Sequence, residues 1–270
     1  MNPDARSYAT GFERHAAQLF SLGEGEVSTA LPAPSPSPRE SLGSLKGVAD
    51  ERIARAWRTY LNSRRPQDGV VCEDRPDIAS SSGLRWVLDP IDGTVNAETG
   101  LPLFCMSIAL EAMIDDRWRA VAGAVRDVRG GETFTAIRGG GAFLSGRRID
   151  TGDGTAPHRA MLGIEFAYDM QARLEELRTV SPLLAAFGGV RSIGSSALGL
   201  CWLACGRLNA FLDLSIRRWD WCAGALIVEE AGGLTARSGR GLAAAQRSLL
   251  GTVAACLPDD APAASSRGWS

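Results

Sequence analysis

The chain has 270 residues, of which 45% are hydrophobic and 22% charged, a composition that can bury a sizeable core and excludes disorder throughout. Its 29 basic and 31 acidic side chains leave a formal net charge of -2, which excludes a broad basic field for a nucleic-acid backbone. No stretch approaches the roughly 18 uninterrupted apolar residues of a membrane span, and no basic start leads into an apolar signal-like run, so a cytoplasmic protein is expected.

Residues 1–27 carry a helical pattern through Phe12, Ala16, Leu19 and Phe20. The segment LPAPSPSP at 31–38 holds too many prolines for a helix and reads as an exposed linker or lid. VADERIARAWRTYL at 48–61 puts Val48, Ile53, Ala56, Trp57 and Tyr60 near one helix face. VVCED at 70–74 and LRWVLDP at 84–90 read as short strands, because apolar runs end there in acidic or turn-forming residues. Two longer strands are expected at 104–114 and 119–128, turning through Asp115 and Asp116, followed by a glycine-rich hairpin at 132–146. Beyond it lie a strand at 161–166, a charged helix at 169–180, a helix at 195–205, a strand at 208–212 and a helix at 222–231 stopped by Gly232 and Gly233. Helices and strands alternate without a repeat, which predicts a layered α+β architecture with a boundary near 145–160, hence units of residues 1–150 and 151–270.

The six cysteines, Cys72, Cys105, Cys201, Cys205, Cys222 and Cys256, sit mostly in apolar text and read as buried free thiols. Cys201 and Cys205 share the spacing of one helix face, but no second pair or nearby histidine completes a zinc site.

The chemistry concentrates in WVLDPIDGTVN, Trp86 to Asn96. Pro90 separates Asp89 from Asp92 and argues against a plain central strand. A turn there can aim both carboxylates and the Ile91 carbonyl into one cavity, an oxygen set suited to magnesium. The alternative is that the two aspartates only cap a turn. Glu73 ends an apolar strand sixteen residues before Asp89, so neighbouring strands can bring both to one sheet edge. Asp220, between Trp219 and Trp221, stands at the start of an apolar helix and reads either as a further ligand or as a helix N-cap.

These segments resemble the signatures of the inositol monophosphatase family of magnesium-dependent, lithium-sensitive phosphatases. WVLDPIDGTVN matches the first signature and WDWCAGALIVEEAGG at 219–233 the second, with RGGGAFLSG and GSSALGL between them in the expected order across roughly 45–235. The resemblance implies an α/β/α/β/α sandwich, a homodimer, a small phosphorylated polyol or sugar as substrate, and two or three magnesium ions. By the same resemblance Glu73, Asp89, the Ile91 carbonyl, Asp92 and Asp220 would bind metal. Thr94, paired with Asp50 at 23 residues before Glu73, would activate water together with the Glu73 site. The Gly93 and Thr94 N–H groups would hold phosphate oxygens at a helix start, and Gly194, Ser195 and Asp213 would lie near the polyol.

The chain departs from the family pattern in several places. Asp74 follows Glu73 where many relatives have a second glutamate, and Arg39 and Ser44 replace a usual lysine and aspartate, which bears on a third metal. Asp213 stands in place of a glutamate and Asn209 in place of an aspartate. Arg191 and the pair Arg217–Arg218 bring positive charge toward the expected pocket, as for a second phosphate, or form a solvated face. Inositol 1-phosphate is the first substrate choice, with histidinol phosphate, fructose 1,6-bisphosphate and adenosine 3',5'-bisphosphate as alternatives. A catalytically weak binding or regulatory protein keeping the fold is the reading from another class.

Overall fold

Alternating side chains along the strands decide which layer each face meets. In the computed structural model, which describes residues 5–30 and 48–258, with side chains over 11–29 and 48–258, two sheets and seven α-helices stack in five layers among the described residues. Helices α1 (Ala5–Ala30) and α2 (Val48–Arg64) cover one face of a seven-stranded sheet. That sheet runs in chain order: β1 (Gly69–Cys72), β2 (Leu84–Asp92), β3 (Cys105–Ile114), β4 (Arg117–Asp127), β5 (Thr133–Ile137), β6 (Gly141–Leu144) and β7 (Arg147–Ile149). A short helix α3 (Thr94–Thr99) follows β2 directly.

Helices α5 (Ser196–Ala204) and α6 (Arg218–Glu230) fill the middle layer, packed between the first sheet and a second, five-stranded one. The second sheet has the order β11 (Leu234–Ser238), β12 (Gly241–Ala245), β10 (Ala210–Asp213), β8 (Met161–Glu165), β9 (Gly189–Arg191). Its outer face is covered by α4 (Met170–Ala186) and α7 (Leu250–Ala254). The alternation is explicit in β10, where Phe211 joins the middle core while Ala210 and Leu212 join the outer one, and in β2, where Val87 faces α6 while Trp86 and Leu88 face α1 and α2. The layered α/β/α/β/α sandwich expected from the sequence is the fold.

The expected turn at Asp115 and Asp116 is a two-residue hairpin loop with φ of 50° and 57°, the left-handed pair that matches strand twist. Several elements differ from expectation. Helix α4 runs past Pro182 to Ala186, because the Arg178 carbonyl that Pro182 cannot serve accepts the Ser181 hydroxyl at 2.9 Å. Helix α6 begins at Arg218 rather than Cys222, so Asp220 lies inside its first turn and is not its N-cap. Strands β7, β9, β11 and β12 and helix α7 were not anticipated. All six cysteines are free, four of them buried. Leu203, Leu208 and Phe211 are core and Trp202 packs against it. The 31–38 segment, Arg39, Ser44 and the tail from 259 lie outside the described residues.

Candidate metal centre

Asp89 and Asp92 lie three residues apart and would face opposite sides of a regular strand. Strand β2 does continue through Pro90, but with a register shift: Asp89 pairs with Ser107 and Asp92 with Cys105, so one extra residue is accommodated on β2. This bulge turns both carboxylates toward the same space. Pro90 fits because β1 pairs with β2 only as far as Leu88 and the ladder to β3 is interrupted between Asp89 and Asp92, so neither neighbour pairs with Pro90. The bulge is held by Asp89 Oδ1, which accepts the Ile91 N–H at 3.1 Å.

Parallel pairing of Cys72 with Leu88 sets Glu73 beside Asp89, with the Glu73 N–H on the Leu88 carbonyl at 3.3 Å. From the middle layer, the first turn of α6 brings Asp220, whose Oδ2 accepts the Arg217 N–H at 2.7 Å. Oxygen atoms of Asp89, Asp92 and Asp220 all come within 4.8 Å of one another, close enough for one cation to touch all three. Glu73 is next to this trio without being part of it.

None of Asp50, Glu73, Asp89, Asp92 and Asp220 forms an ion pair among the described residues. Burial, with mutual repulsion, therefore drives protonation. Desolvation raises Glu73 to about 8, Asp50 to about 7 and Asp92 to about 6. It also pushes Asp89 and Asp220 well above the usual carboxylate range, with neighbouring carboxylates adding to the rise. Hard anionic oxygens packed without a counter-charge fit a divalent cation such as magnesium.

Thr94 opens α3 next to the cluster. Its hydroxyl is 2.9 Å from the Ile91 carbonyl and 3.4 Å from Asp50 Oδ2, which α2 supplies from its first turn. Gly93, at φ 95°, makes the strand-to-helix turn. A Cβ there would stand 2.9 Å from the Leu103 carbonyl oxygen and 3.0 Å from that of Gly194, so only glycine fits.

The opposite wall comes from the loop before α5. Asp92 Oδ2 accepts the Ser195 hydroxyl at 2.6 Å and the Ala197 N–H at 2.7 Å. Asp213 accepts the Ser196 hydroxyl at 2.8 Å and the Ser215 N–H at 2.8 Å, so both of its oxygens are engaged in the wall. The Gly194 N–H is taken by Glu165 at 3.0 Å. Asn209 is structural, its Oδ1 accepting the Met161 N–H at 2.7 Å.

Two of these arginines have different surroundings. Arg218 turns to the buried Glu111 and is not left to face an anion in the cleft. Arg191 is exposed, with Nη1 donating to the Val190 carbonyl at 2.8 Å. Sequence reasoning passed over Glu165, although MLGIE is an apolar strand ending in an acid, the same signal that marked Glu73. It also passed over Tyr168 in the loop after β8, an exposed residue whose phenol lies in the field of Asp92, Glu165, Glu73 and Asp220.

The model of the inositol monophosphatase family matches residues 38–261. The chain belongs to the inositol monophosphatase family. An inositol-1-monophosphatase of Rhizobium meliloti is 36% identical over 201 residues, 70% of this chain and 73% of that protein. A protein of Pasteurella multocida named Nus factor SuhB is 33% identical over 226 residues, 78% of this chain and 83% of its own length. Mycobacterium tuberculosis SuhB superposes with a TM-score of 0.77 at 30% identity, covering 95% of this chain and 97% of that one. The alternating helices and sheets match the architecture of these solved structures.

Proposed function

We propose that this protein is a magnesium-dependent phosphomonoesterase, acting first on inositol 1-phosphate or a similar polyol phosphate by in-line attack of water. The observation that carries the reading is the bulge in β2, which gathers Asp89 and Asp92 against Asp220 without a counter-cation among the described residues. Relatives named inositol-1-monophosphatase give the substrate class its support.

In this reading Glu73, Asp89, Asp92, Asp220 and the Ile91 carbonyl hold two or three magnesium ions. Magnesium, when bound, supplies the positive charge that acidifies water and steadies the departing alkoxide. The Thr94 hydroxyl has one proton and two acceptors within reach, and giving it to Asp50 would leave the Ile91 carbonyl free for a cation. Asp50, raised to about 7 by burial, is suited to take a proton near neutral pH. The attacking water thus passes its proton to Thr94 as Thr94 passes its own to Asp50. The new P–O bond forms as the ester P–O bond breaks, and the Gly93 and Thr94 N–H groups hold the phosphate oxygens. Ser195, Gly194 and Asp213 shape the polyol side, and Arg191 stands at solvent for a larger anionic substrate.

The same reading takes residues 1–150 and 151–270 as two units, supported by their separate sheets, and the protein as a cytoplasmic homodimer. No helix of the described residues is long and apolar enough to cross a membrane. Exposed Met170, Leu174, Leu177 and Leu184 along α4 support a partner face.

A second reading, a binding or regulatory protein of the same fold, draws on the relative named Nus factor SuhB. The retained carboxylates and the Thr94–Asp50 pair favour catalysis. Phosphate release with magnesium decides, using inositol 1-phosphate, histidinol phosphate, fructose 1,6-bisphosphate and adenosine 3',5'-bisphosphate. Turnover of one ester that needs both magnesium and Asp92 supports the proposal. Absence of turnover on the whole panel favours the second reading.

A further inference from the structure

We propose that Glu165 is a positioning residue for Asp92, acting through the loop from Ser192 to Ala197. The inference rests on the reading of Asp92 as a metal ligand. Glu165 ends β8 in register with Asp213 of the parallel strand β10 and is only 9% exposed. Its carboxylate is wrapped by one loop. Oε1 accepts the Ile193 N–H at 2.7 Å, both oxygens accept the Gly194 N–H at 3.0 Å, and Oε2 accepts the Ser192 hydroxyl at 3.0 Å.

The loop's next residues are the ones that hold Asp92. Ser195 Oγ and the Ala197 N–H both donate to Asp92 Oδ2, fixing that oxygen and with it the direction of the other. From the other side Asn96 Nδ2 donates to the Ile193 carbonyl at 2.8 Å. Gly194, at φ 77°, is pinched between these grips, since a Cβ there would come 2.7 Å from Asn96 Nδ2. Glu165 supplies the acceptors for two consecutive N–H groups, those of Ile193 and Gly194. Removing those acceptors favours turning the N–H groups outward. A loop turned that way draws Ser195 and Ala197 off Asp92. A carboxylate that ligates metal while hydrogen-bonded depends on such partners, whose loss costs about 10–100-fold in metal affinity.

The test counts free manganese by its electron paramagnetic resonance signal as the metal is titrated into the metal-free full chain, so no turnover is needed. Glu165→Ala is expected to weaken manganese binding about tenfold, and Ser195→Ala by a similar factor. The double variant Glu165→Ala/Ser195→Ala should lose little more than the worse single variant, because both act through one contact. Glu165→Gln keeps one carbonyl oxygen for Ile193 and Gly194 and should lose only about threefold. If Glu165→Ala does not fold, the Gln variant decides, with that loss supporting the inference and wild-type affinity overturning it. Unchanged binding in a folded Glu165→Ala, or losses that multiply in the double variant, overturns the role of Glu165 while leaving Asp92 as a ligand. Wild-type protein that takes up no manganese overturns the metal reading itself.

Discussion

Two acidic sites share strand β2 and helix α6, and they treat charge in opposite ways. Near the amino end of β2, Glu111 of β3 is buried, yet Arg85 of β2 donates to it at 2.7 Å and Arg218 of α6 grips its other side. Four residues further along β2, Asp89 meets Asp92, and α6 contributes Asp220 only two residues after Arg218. The first site is neutralised from within the chain and holds α6 onto the sheet. The second gathers carboxylates with no arginine or lysine paired to them among the described residues. A fold able to place Arg218 against Glu111 leaves the neighbouring cluster without a partner of its own, as suits a cation that comes from solution.

Breaking the uncompensated side should have the largest consequence for chemistry. Asp92→Asn is expected to lower phosphate release at least about a thousandfold, since several kcal/mol of charge stabilisation depend on the ligand set. Steady-state kinetics at saturating magnesium checks this. Thr94→Ala should cost about a hundredfold in kcat and Thr94→Ser far less, because only the hydroxyl relays the proton.

On the compensated side the loss should appear in stability. Glu111→Ala leaves Arg85 and Arg218 without their shared partner and should destabilise the fold by about 3 kcal/mol in urea unfolding. Asp220→Asn should do the reverse in metal-free protein, raising Tm by roughly 2–4 °C for each kcal/mol of repulsion relieved.

The remaining effect is the pH dependence of the metal-free fold. These carboxylates have folded-state pKa values above their unfolded ones of about 4, so their stabilising contribution is complete below that value. It is lost as pH rises through about 6 for Asp92, about 7 for Asp50 and about 8 for Glu73. Metal-free Tm should therefore fall between pH 5 and 8.5 on account of the cleft, and the fall should shrink in Asp92→Asn. A Tm from the cleft groups that rises over this range would contradict the assignment.

The parts of the molecule legible in sequence are those whose chemistry is local. Asp89, Pro90 and Asp92 announce an irregular strand end with oxygen ligands, and Glu73 announces a neighbouring strand that ends in an acid. The bulge itself was not legible, since it depends on which residues of β3 stand opposite. Strand β12 escaped notice because GLAAA lacks the branched and aromatic side chains that mark strands. Its burial comes from packing between α5 and α7 layers. Helix α4 read as ending before Pro182 because the compensating Ser181 contact is a matter of geometry. The partners of Glu165 lie 27 to 29 residues away and are mostly backbone, so no side-chain pattern could reveal them.

The central claim is that the cleft carboxylates are left without a counter-charge to take a divalent cation. Calorimetric titration of magnesium into the metal-free protein at pH 8, with Asp92→Asn alongside, tests it most directly. The account predicts saturable binding by the wild-type chain that is weakened at least about tenfold in the variant. Equal binding by both, or no binding by either, would contradict it.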